Sequence, residues 1–553
     1  MENPTPRDPT RRRGSEVPPG STLDRGMSAE KRTDDRPEEG GTLNSGDPER
    51  SPSEGETSPM AGRGQRQEDA TGARRESDPP IVVRDGRADH MAKGRAEGQR
   101  GQSTHARERI TPIRSVSSTL SALGAKARRD PDHRFRGLAR LLDRQMLGEA
   151  FAGLRKGAAA GIDGVHHAEY AENLDENLVN LERRLKSGQY RARYVRRRWI
   201  PKPGGRKLRP LGIPVVEDKI VQQAVRMILE AIWEEDFVEE SIGYRPGKGA
   251  RSAVVELREA LNGGTYRWVV EADIRGYFEH IDHGWLARML EERIADRKLV
   301  RLIGKWLKAG IMEEDGRVVE PETGTPQGGV ISPVLANIYL HFVQDLWLKK
   351  VIAKHGKGRV IFRRYADDSV VCFEREEDAR VYLSALPKRM GKFHLQLAEE
   401  KSALVKFNRW EPDRSGRFTF LGFDFHWART RRNPKCVVVK ERTNAKRFRA
   451  SLLALKEWLK LARSQKLPDL LNTLRRKMQG HWNYYAIPGN SEMTAKYDKL
   501  VKGLLFKWLN RRSQRRSMGW EEFLRRLPAW KLPPPRITNP NAQMRLQWQP
   551  NPS

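Results

Sequence analysis

Three aspartates stand where a carboxylate is costly. Asp273 closes a short apolar run, residues 267–274 (RWVVEADI). Asp367 and Asp368 sit side by side between β-rich flanks in residues 360–373 (VIFRRYADDSVVCF). The first pattern predicts a buried strand that delivers its acid at the end, the second a hairpin with two acids at its tip. Gathered carboxylates repel, so a site that collects three of them needs cations. Carboxylates on neighbouring strands suit two Mg²⁺ ions, which prefer hard oxygen ligands. Two such ions, roughly 3.5–4 Å apart, can activate an attacking 3′-oxygen and stabilise a leaving pyrophosphate. Taken alone, Asp-Asp is also a common surface turn.

A cationic counterpart is present. Lys202 and Arg209 flank a Pro-Gly-Gly turn inside a basic block, residues 196–210. A point charge and a planar fork together can neutralise and orient a triphosphate. Gln327 lies between Pro326 and Gly328-Gly329, where backbone can approach a ligand closely. Each feature has a plain alternative: a hairpin turn, or a glutamine facing water.

These residues need elements to hold them. Helical spacing covers Leu138–Leu154, with Leu138, Leu141, Leu142 and Phe151 on one face. The Pro-Gly-Gly turn is predicted to join two short strands. A helix is predicted over Glu217–Glu235, its face formed by Ile220, Ala224, Met227, Ile228 and Ala231. The Gly/Pro loop at 324–333 (GTPQGGVISP) leads into another helix, with Ser332 as N-cap and Pro333 at the first position. Residues 418–425 read as a strand or hairpin. After Glu441 the chain turns basic and helical, with 22 Lys+Arg against 7 Asp+Glu to Lys531 and eleven aromatics interleaved. Such helices suit RNA, although a helical bundle with a solvated basic face has the same composition.

Composition bounds the rest. The chain has 553 residues and a formal net charge of +32, which suits a polyanionic partner. No aromatic residue precedes Phe135, and residues 1–110 mix Pro, Gly, Ser and both charge signs. That stretch has too little apolar surface to offset ordering entropy and is predicted disordered. The two cysteines, Cys372 and Cys436, form no CxxC pair, so neither a Cys-based zinc site nor a disulfide framework is expected. No signal peptide or membrane-spanning run is visible, so a cytoplasmic protein without a membrane partner is expected.

The order of parts is that of a right-hand polymerase, and the motifs sharpen it. In sequence come GIDGV (161–165), WIPKPGGRKLRPLGIP (199–214), SIGYRPGKGA (241–250), EADIRGYFEHIDH (271–283), GTPQGGVISPVLANIYL (324–340), RYADD (364–368), FLGFDF (420–425) and GHWNYY (480–485). Over about residues 130–530 the chain resembles the bacterial group II intron-encoded reverse transcriptase–maturases. The resemblance implies an α+β fold: fingers and palm over 130–440, an all-helical thumb/maturase (X) domain over 441–532, and a loose Pro-rich tail over 533–553. It implies an RNA-directed DNA polymerase that copies intron RNA during retrohoming and binds that RNA to assist splicing. Its partners would be the intron RNA, a DNA target and primer, and dNTPs.

Residue by residue, the resemblance makes Asp273, Asp367 and Asp368 catalytic and ligands of two Mg²⁺ ions, with the backbone carbonyl of Ile274 on the nucleotide-side ion. Lys202, Arg209, Phe278, Gln327 and Lys401 fall at dNTP-binding positions. The Phe278 ring matches a steric gate against the ribose 2′-OH, and Lys401 a proton donor to pyrophosphate. Tyr365 and Ala366 fall beside the primer end. Arg475, Arg476, Lys477, Trp482, Tyr484 and Tyr485 are the RNA-binding candidates. Longer family members end in a Cys/His endonuclease. Here no Cys follows Cys436 and the last His is His481, so that domain is not expected. Two other readings compete: a splicing cofactor with an inactive polymerase, and a domesticated or retron-like reverse transcriptase. The three intact aspartates oppose the first, and the basic GHWNYY region opposes the second.

Overall fold

The computed structural model describes residues 115–201, 208–409, 416–430, 433–512 and 517–538. The predicted disordered extension (1–110), Lys202 with the Pro-Gly-Gly turn, and most of the predicted tail lie outside them. The described chain opens with α1 (Val116–Arg129), α2 (Arg144–Ala152), α3 (His167–Glu172) and α4 (Leu174–Lys186). The helix expected over Leu138–Leu154 is divided in two. A 3-10 turn covers Leu138–Leu141, and the Asp143 carboxylate then accepts from the Met146 N–H at 2.9 Å. That cap restarts the helix as α2.

Next come β1 (Val195–Pro201), β2 (Leu208–Ile213), α5 (Val216–Trp233), α6 (Ala250–Gly263), β3 (Trp268–Ala272), α7 (His283–Glu291), α8 (Arg297–Leu307), β4 (Ile311–Met312), β5 (Val318–Val319) and α9 (Ser332–Leu340). Strands β1 and β2 pair antiparallel, Pro201 opposite Leu208, as the hairpin reading requires. With β4 and β5 they form a sheet in the order β2-β1-β4-β5. Helix α5 buries more than the expected stripe: Val221, Val225, Leu229 and Ile232 are enclosed as fully as Ile220, Ala224 and Ile228. It runs between α1, α2 and α9, so almost every face meets protein. Truncating such a side chain, for example Ile228→Ala, costs about 2–5 kcal/mol.

Ser332 does not cap α9. It is the first helical residue, after an Ile331 N-cap. Its hydroxyl donates instead to the Pro326 carbonyl at 2.9 Å and meets the Thr325 hydroxyl at 2.7 Å, tying the Gly/Pro loop to the helix. The chain continues through a π-helical segment, His341–Asp345, and a second at Leu348–Ile352, to α10 (Ala353–His355).

The central sheet comprises β3, β6 (Val360–Tyr365), β7 (Asp368–Phe373) and β8 (Ala403–Lys406), all antiparallel, in the order β6-β7-β3-β8. Helix α11 (Glu376–Lys392) lies between β7 and β8 in sequence and packs on this sheet. A three-stranded sheet follows: β9 (Arg417–Phe420), β10 (Phe423–Arg429) and β11 (Val437–Thr443), in the order β11-β10-β9. FLGFDF is therefore a hairpin, with Leu421 (φ 50°) and Gly422 (φ 76°) at its turn. Because β11 reaches Thr443, the helical region starts at Ala445, after the expected 441. It consists of α12 (Ala445–Ala462), α13 (Leu467–Tyr485), α14 (Ser491–Leu509) and α15 (Trp520–Arg526) around its own core of Leu459, Leu474, Met478, Val501, Leu505 and Phe523. No helix among the described residues is long and apolar enough to cross a membrane.

Candidate active site

The central sheet brings the three aspartates together. In the β3–β7 register Ala272 faces Ser369, so Asp273 leaves β3 at the end of the sheet where β7 starts with Asp368. In the β6–β7 pair Tyr365 faces Asp368, leaving Ala366-Asp367 as a two-residue turn. Ala366 is left-handed (φ 57°), a conformation that few non-glycine residues adopt. The turn projects Asp367 from the end of the same two strands that carry Asp368.

Their charges interact. The Asp367 carboxyl lies above the ordinary range because burial disfavours its ionised form and Asp273 adds repulsion, while Arg209 and Arg364 pull the other way. Asp368 is lifted to about 7, by desolvation first and then by Asp367, Asp273 and Glu271. The Leu421 N–H at the β9–β10 turn donates to it at 3.4 Å, which works against the shift. On the other side the Lys401 ammonium donates to Asp273 Oδ2, and that contact raises the lysine.

Ile274 is bracketed by two hydrogen bonds to the 396–398 segment: the Arg275 N–H donates to Gln396 O and the Ala398 N–H to Asp273 O, both at 2.8 Å. In an antiparallel pair this pattern turns the Ile274 carbonyl away from that segment, toward the β7 side. Phe278 lies in a 3-10 turn, Tyr277–Glu279, that follows left-handed Gly276. Its carbonyl accepts from the Thr325 N–H at 2.8 Å. Gly324 (φ 88°) packs so closely on this turn that a Cβ there would sit 2.7 Å from the Glu279 carbonyl oxygen. A few residues on, the Gln327 carbonyl accepts from the Gly212 N–H of β2 at 2.6 Å. The Gly/Pro loop thus links the Phe278 turn to the strand that bears exposed Arg209.

The helical region is placed differently from expectation. Trp482 is only 3% exposed, and its indole N–H donates to the Pro533 carbonyl. Tyr484 stacks near Phe423 and donates to the Leu421 carbonyl at 3.0 Å, and Tyr485 packs on the same phenylalanine. Arg475 donates twice to the Trp530 carbonyl. These four side chains hold the palm–thumb junction and the thumb together. Of the six RNA-binding candidates, Arg476 and Lys477 are exposed.

The sequence reading assigned no role to the support beneath the turn. Arg364 is fully buried and reaches Asp345, Asn337, Ser241 and the Ala366 carbonyl. Gly243, in SIGYRPGKGA, lies so close to the turn that a Cβ would fall 2.3 Å from the Ala366 nitrogen. The motif was visible; its contact with RYADD required the third dimension. Among the described residues no three His, Cys, Asp or Glu side chains close into a ready-made metal cage.

A sheet with paired acids on a two-residue turn, a basic hairpin ahead of it and a helical bundle behind have the arrangement of reverse-transcriptase fingers, palm and thumb. Comparison agrees: residues 200–425 match the reverse transcriptase (RNA-dependent DNA polymerase) family and residues 446–527 the group II intron maturase-specific domain. The protein YkfC of Escherichia coli K12 is 33% identical over 378 residues, which are 62% of this chain and 96% of YkfC. The group II intron-encoded protein LtrA of Lactococcus lactis is 36% identical over 249 residues, 43% of this chain and 41% of LtrA. A putative COX1/OXI3 intron 1 protein of Saccharomyces cerevisiae is 36% identical over 183 residues, 33% of this chain and 22% of the relative. The chain belongs to the group II intron reverse transcriptase–maturase family, and its match spans about two fifths of LtrA.

Proposed function

We propose that this protein is an RNA-directed DNA polymerase that copies group II intron RNA into DNA and binds that RNA to assist its splicing. The observation that carries this reading is the set of three charge-coupled aspartates on the β3–β7 end, facing Arg209 and followed by a maturase-specific thumb. The intron-linked thumb favours this over a domesticated reverse transcriptase, and the clustered acids favour it over an inactive cofactor.

The donor set fits divalent cations. Two carboxylates held above the ordinary range by burial and by neighbouring negative charge, beside a third that already draws an ammonium, form a site short of positive charge. Mg²⁺ needs only one or two carboxylates, since water and substrate phosphates complete its shell, so no protein cage is required. Asp273, Asp367 and Asp368, with the Ile274 carbonyl, would hold two Mg²⁺ ions. When bound, these supply Lewis acidity to the attacking 3′-oxygen and to the departing phosphate oxygens.

The chain's own residues do the rest. In the reaction the primer 3′-hydroxyl gives its proton to water and its oxygen bonds to the α-phosphorus of a dNTP, the bond between the α-phosphorus and the bridging oxygen breaks, and pyrophosphate leaves. Arg209 and Lys202 grip the triphosphate, and Lys401, within reach of Asp273, gives a proton to the pyrophosphate. The Phe278 ring walls off the 2′-position, and Gln327 lies along the sugar. Tyr365 and Ala366 border the primer end. Arg476 and Lys477 meet the RNA backbone. Primer extension on an RNA template with Mg²⁺ and dNTPs tests the reading directly. Wild type makes cDNA, whereas Asp367→Ala loses at least ~10³-fold in rate and keeps its intron RNA affinity. Undiminished extension by the variant removes the assignment.

A further inference from the structure

The turn that carries Asp367 is held from below by a polar frame. Arg364 offers five guanidinium N–H groups, and every one has an acceptor. Nε and Nη2 donate to the two Asp345 oxygens at 2.7 and 2.5 Å, a bidentate pair with both side chains fully buried. Nη2 also donates to Ser241 Oγ at 2.6 Å, and Nη1 to Asn337 Oδ1 at 3.1 Å. The remaining bond, Nη1 to the Ala366 carbonyl at 2.9 Å, grips the left-handed residue of the turn itself. Asn337 in turn donates to the Gly243 carbonyl at 2.7 Å.

The frame has a second arm. Gln344, next to Asp345 in the π-helical segment, donates through Nε2 to Ser369 Oγ at 2.9 Å. Residues 364 and 369 immediately flank the tetrapeptide Tyr365–Asp368. One segment therefore clamps both sides of the acidic turn. An α-helical spacing offers adjacent residues to directions about 100° apart, and π-bulges recur where a helix is reshaped for function. A buried ion pair is a poor source of stability compared with apolar packing, so its value lies in fixing a geometry.

We propose that Arg364 is a positioning residue for nucleotidyl transfer, anchored by Asp345 and seconded by Gln344, and that this clamp sets the turn so that Asp367 meets Asp273 across a bound divalent cation. The inference rests on the polymerase reading above. Arg364→Lys keeps the positive charge and loses the fork, so it separates geometry from charge.

The test uses the full chain with primer, RNA template and dNTP. Wild type and Asp367→Ala are run first: an inactive wild type, or an active Asp367→Ala, removes the polymerase reading and overturns the clamp with it. Given an active wild type, Arg364→Lys is expected to lower the single-turnover rate about 30-fold or more and to raise the Mg²⁺ concentration for half-maximal rate several-fold. Its KM for dNTP and its intron RNA affinity are expected to stay within about 3-fold. Binding of Mn²⁺ to the same complex, read by electron paramagnetic resonance, is expected to weaken in parallel, independently of turnover. A variant whose loss follows its lowered melting temperature, with unchanged Mg²⁺ and Mn²⁺ dependence, overturns the proposal. If Arg364→Lys does not fold, Gln344→Met decides: it removes one hydrogen bond and leaves the ion pair. A raised Mg²⁺ requirement at near-native melting temperature supports the clamp, and an unchanged requirement overturns it.

Discussion

At the scale of the residue, the site works by placing like charges together and surrounding them with cations. Asp367 is pushed toward protonation by burial and by Asp273, and Asp368 by desolvation and by Asp367 and Asp273; Arg209 and Arg364 oppose this at Asp367, and Lys401 pairs with Asp273. A surface Asp-Asp turn would show none of this. The proposed steric gate belongs to the same scale. The Phe278 backbone is held by its own 3-10 turn and by the Thr325 N–H on its carbonyl. Phe278→Ala is expected to raise ribonucleotide incorporation about 10–100-fold in competition with dNTPs, while deoxynucleotide extension changes far less. Unaltered discrimination in that assay rejects the gate.

At the scale of the element, α13 couples the thumb to the palm. Its last turn sends Tyr484 to the Leu421 carbonyl, and the Leu421 N–H faces Asp368. Tyr484→Phe removes a single hydroxyl, so the stability loss should be about 1 kcal/mol by denaturant titration. The rate of primer extension should fall several-fold, since the Leu421 turn is then freer to move; an unchanged rate separates the thumb helix from the catalytic end of the sheet. One turn earlier, His481 stacks flat on Tyr497 at 3.6 Å and lies beside Tyr485 and Trp482. Burial drives its pKa down to about 3. A depressed value means the imidazole stabilises the fold fully above the unfolded pKa near 6.5 and ceases to do so as pH falls toward 3. The melting temperature should therefore drop on acidification below pH 6.5, and His481→Phe should flatten part of that drop. Parallel curves for the two proteins refute this assignment.

At the scale of the whole molecule, charge governs how the proposed RNA partner would be held. With a formal net charge of +32, tight binding to intron RNA must release many counterions. A plot of log affinity against log salt is expected to fall with a slope steeper than about −4, corresponding to six or so neutralised phosphates. A nearly flat plot excludes backbone-dominated binding. Arg476 and Lys477, proposed to meet the RNA backbone, are exposed, and reversing both charges should shallow the slope by about one to two.

Much of this protein was legible along the chain because its signals are local. A short apolar run marked β3, β-rich flanks around two acids marked the β6–β7 hairpin, Gly and Pro marked the loop before α9, and eight collinear motifs marked the family. Adjacent residues such as Asp367-Asp368 need no folding to be neighbours. What the chain alone left open depends on contacts between distant segments. Arg364 reads as one more basic residue until Asp345, Asn337 and Ser241 surround it. Trp482, Tyr484 and Tyr485 read as an RNA-facing aromatic set until packing against Phe423, Pro533 and Leu421 turns them inward. Sequence spacing gives a side chain its face on a helix or strand, but only the neighbours that arrive on folding decide whether that face meets water, another side chain or a ligand.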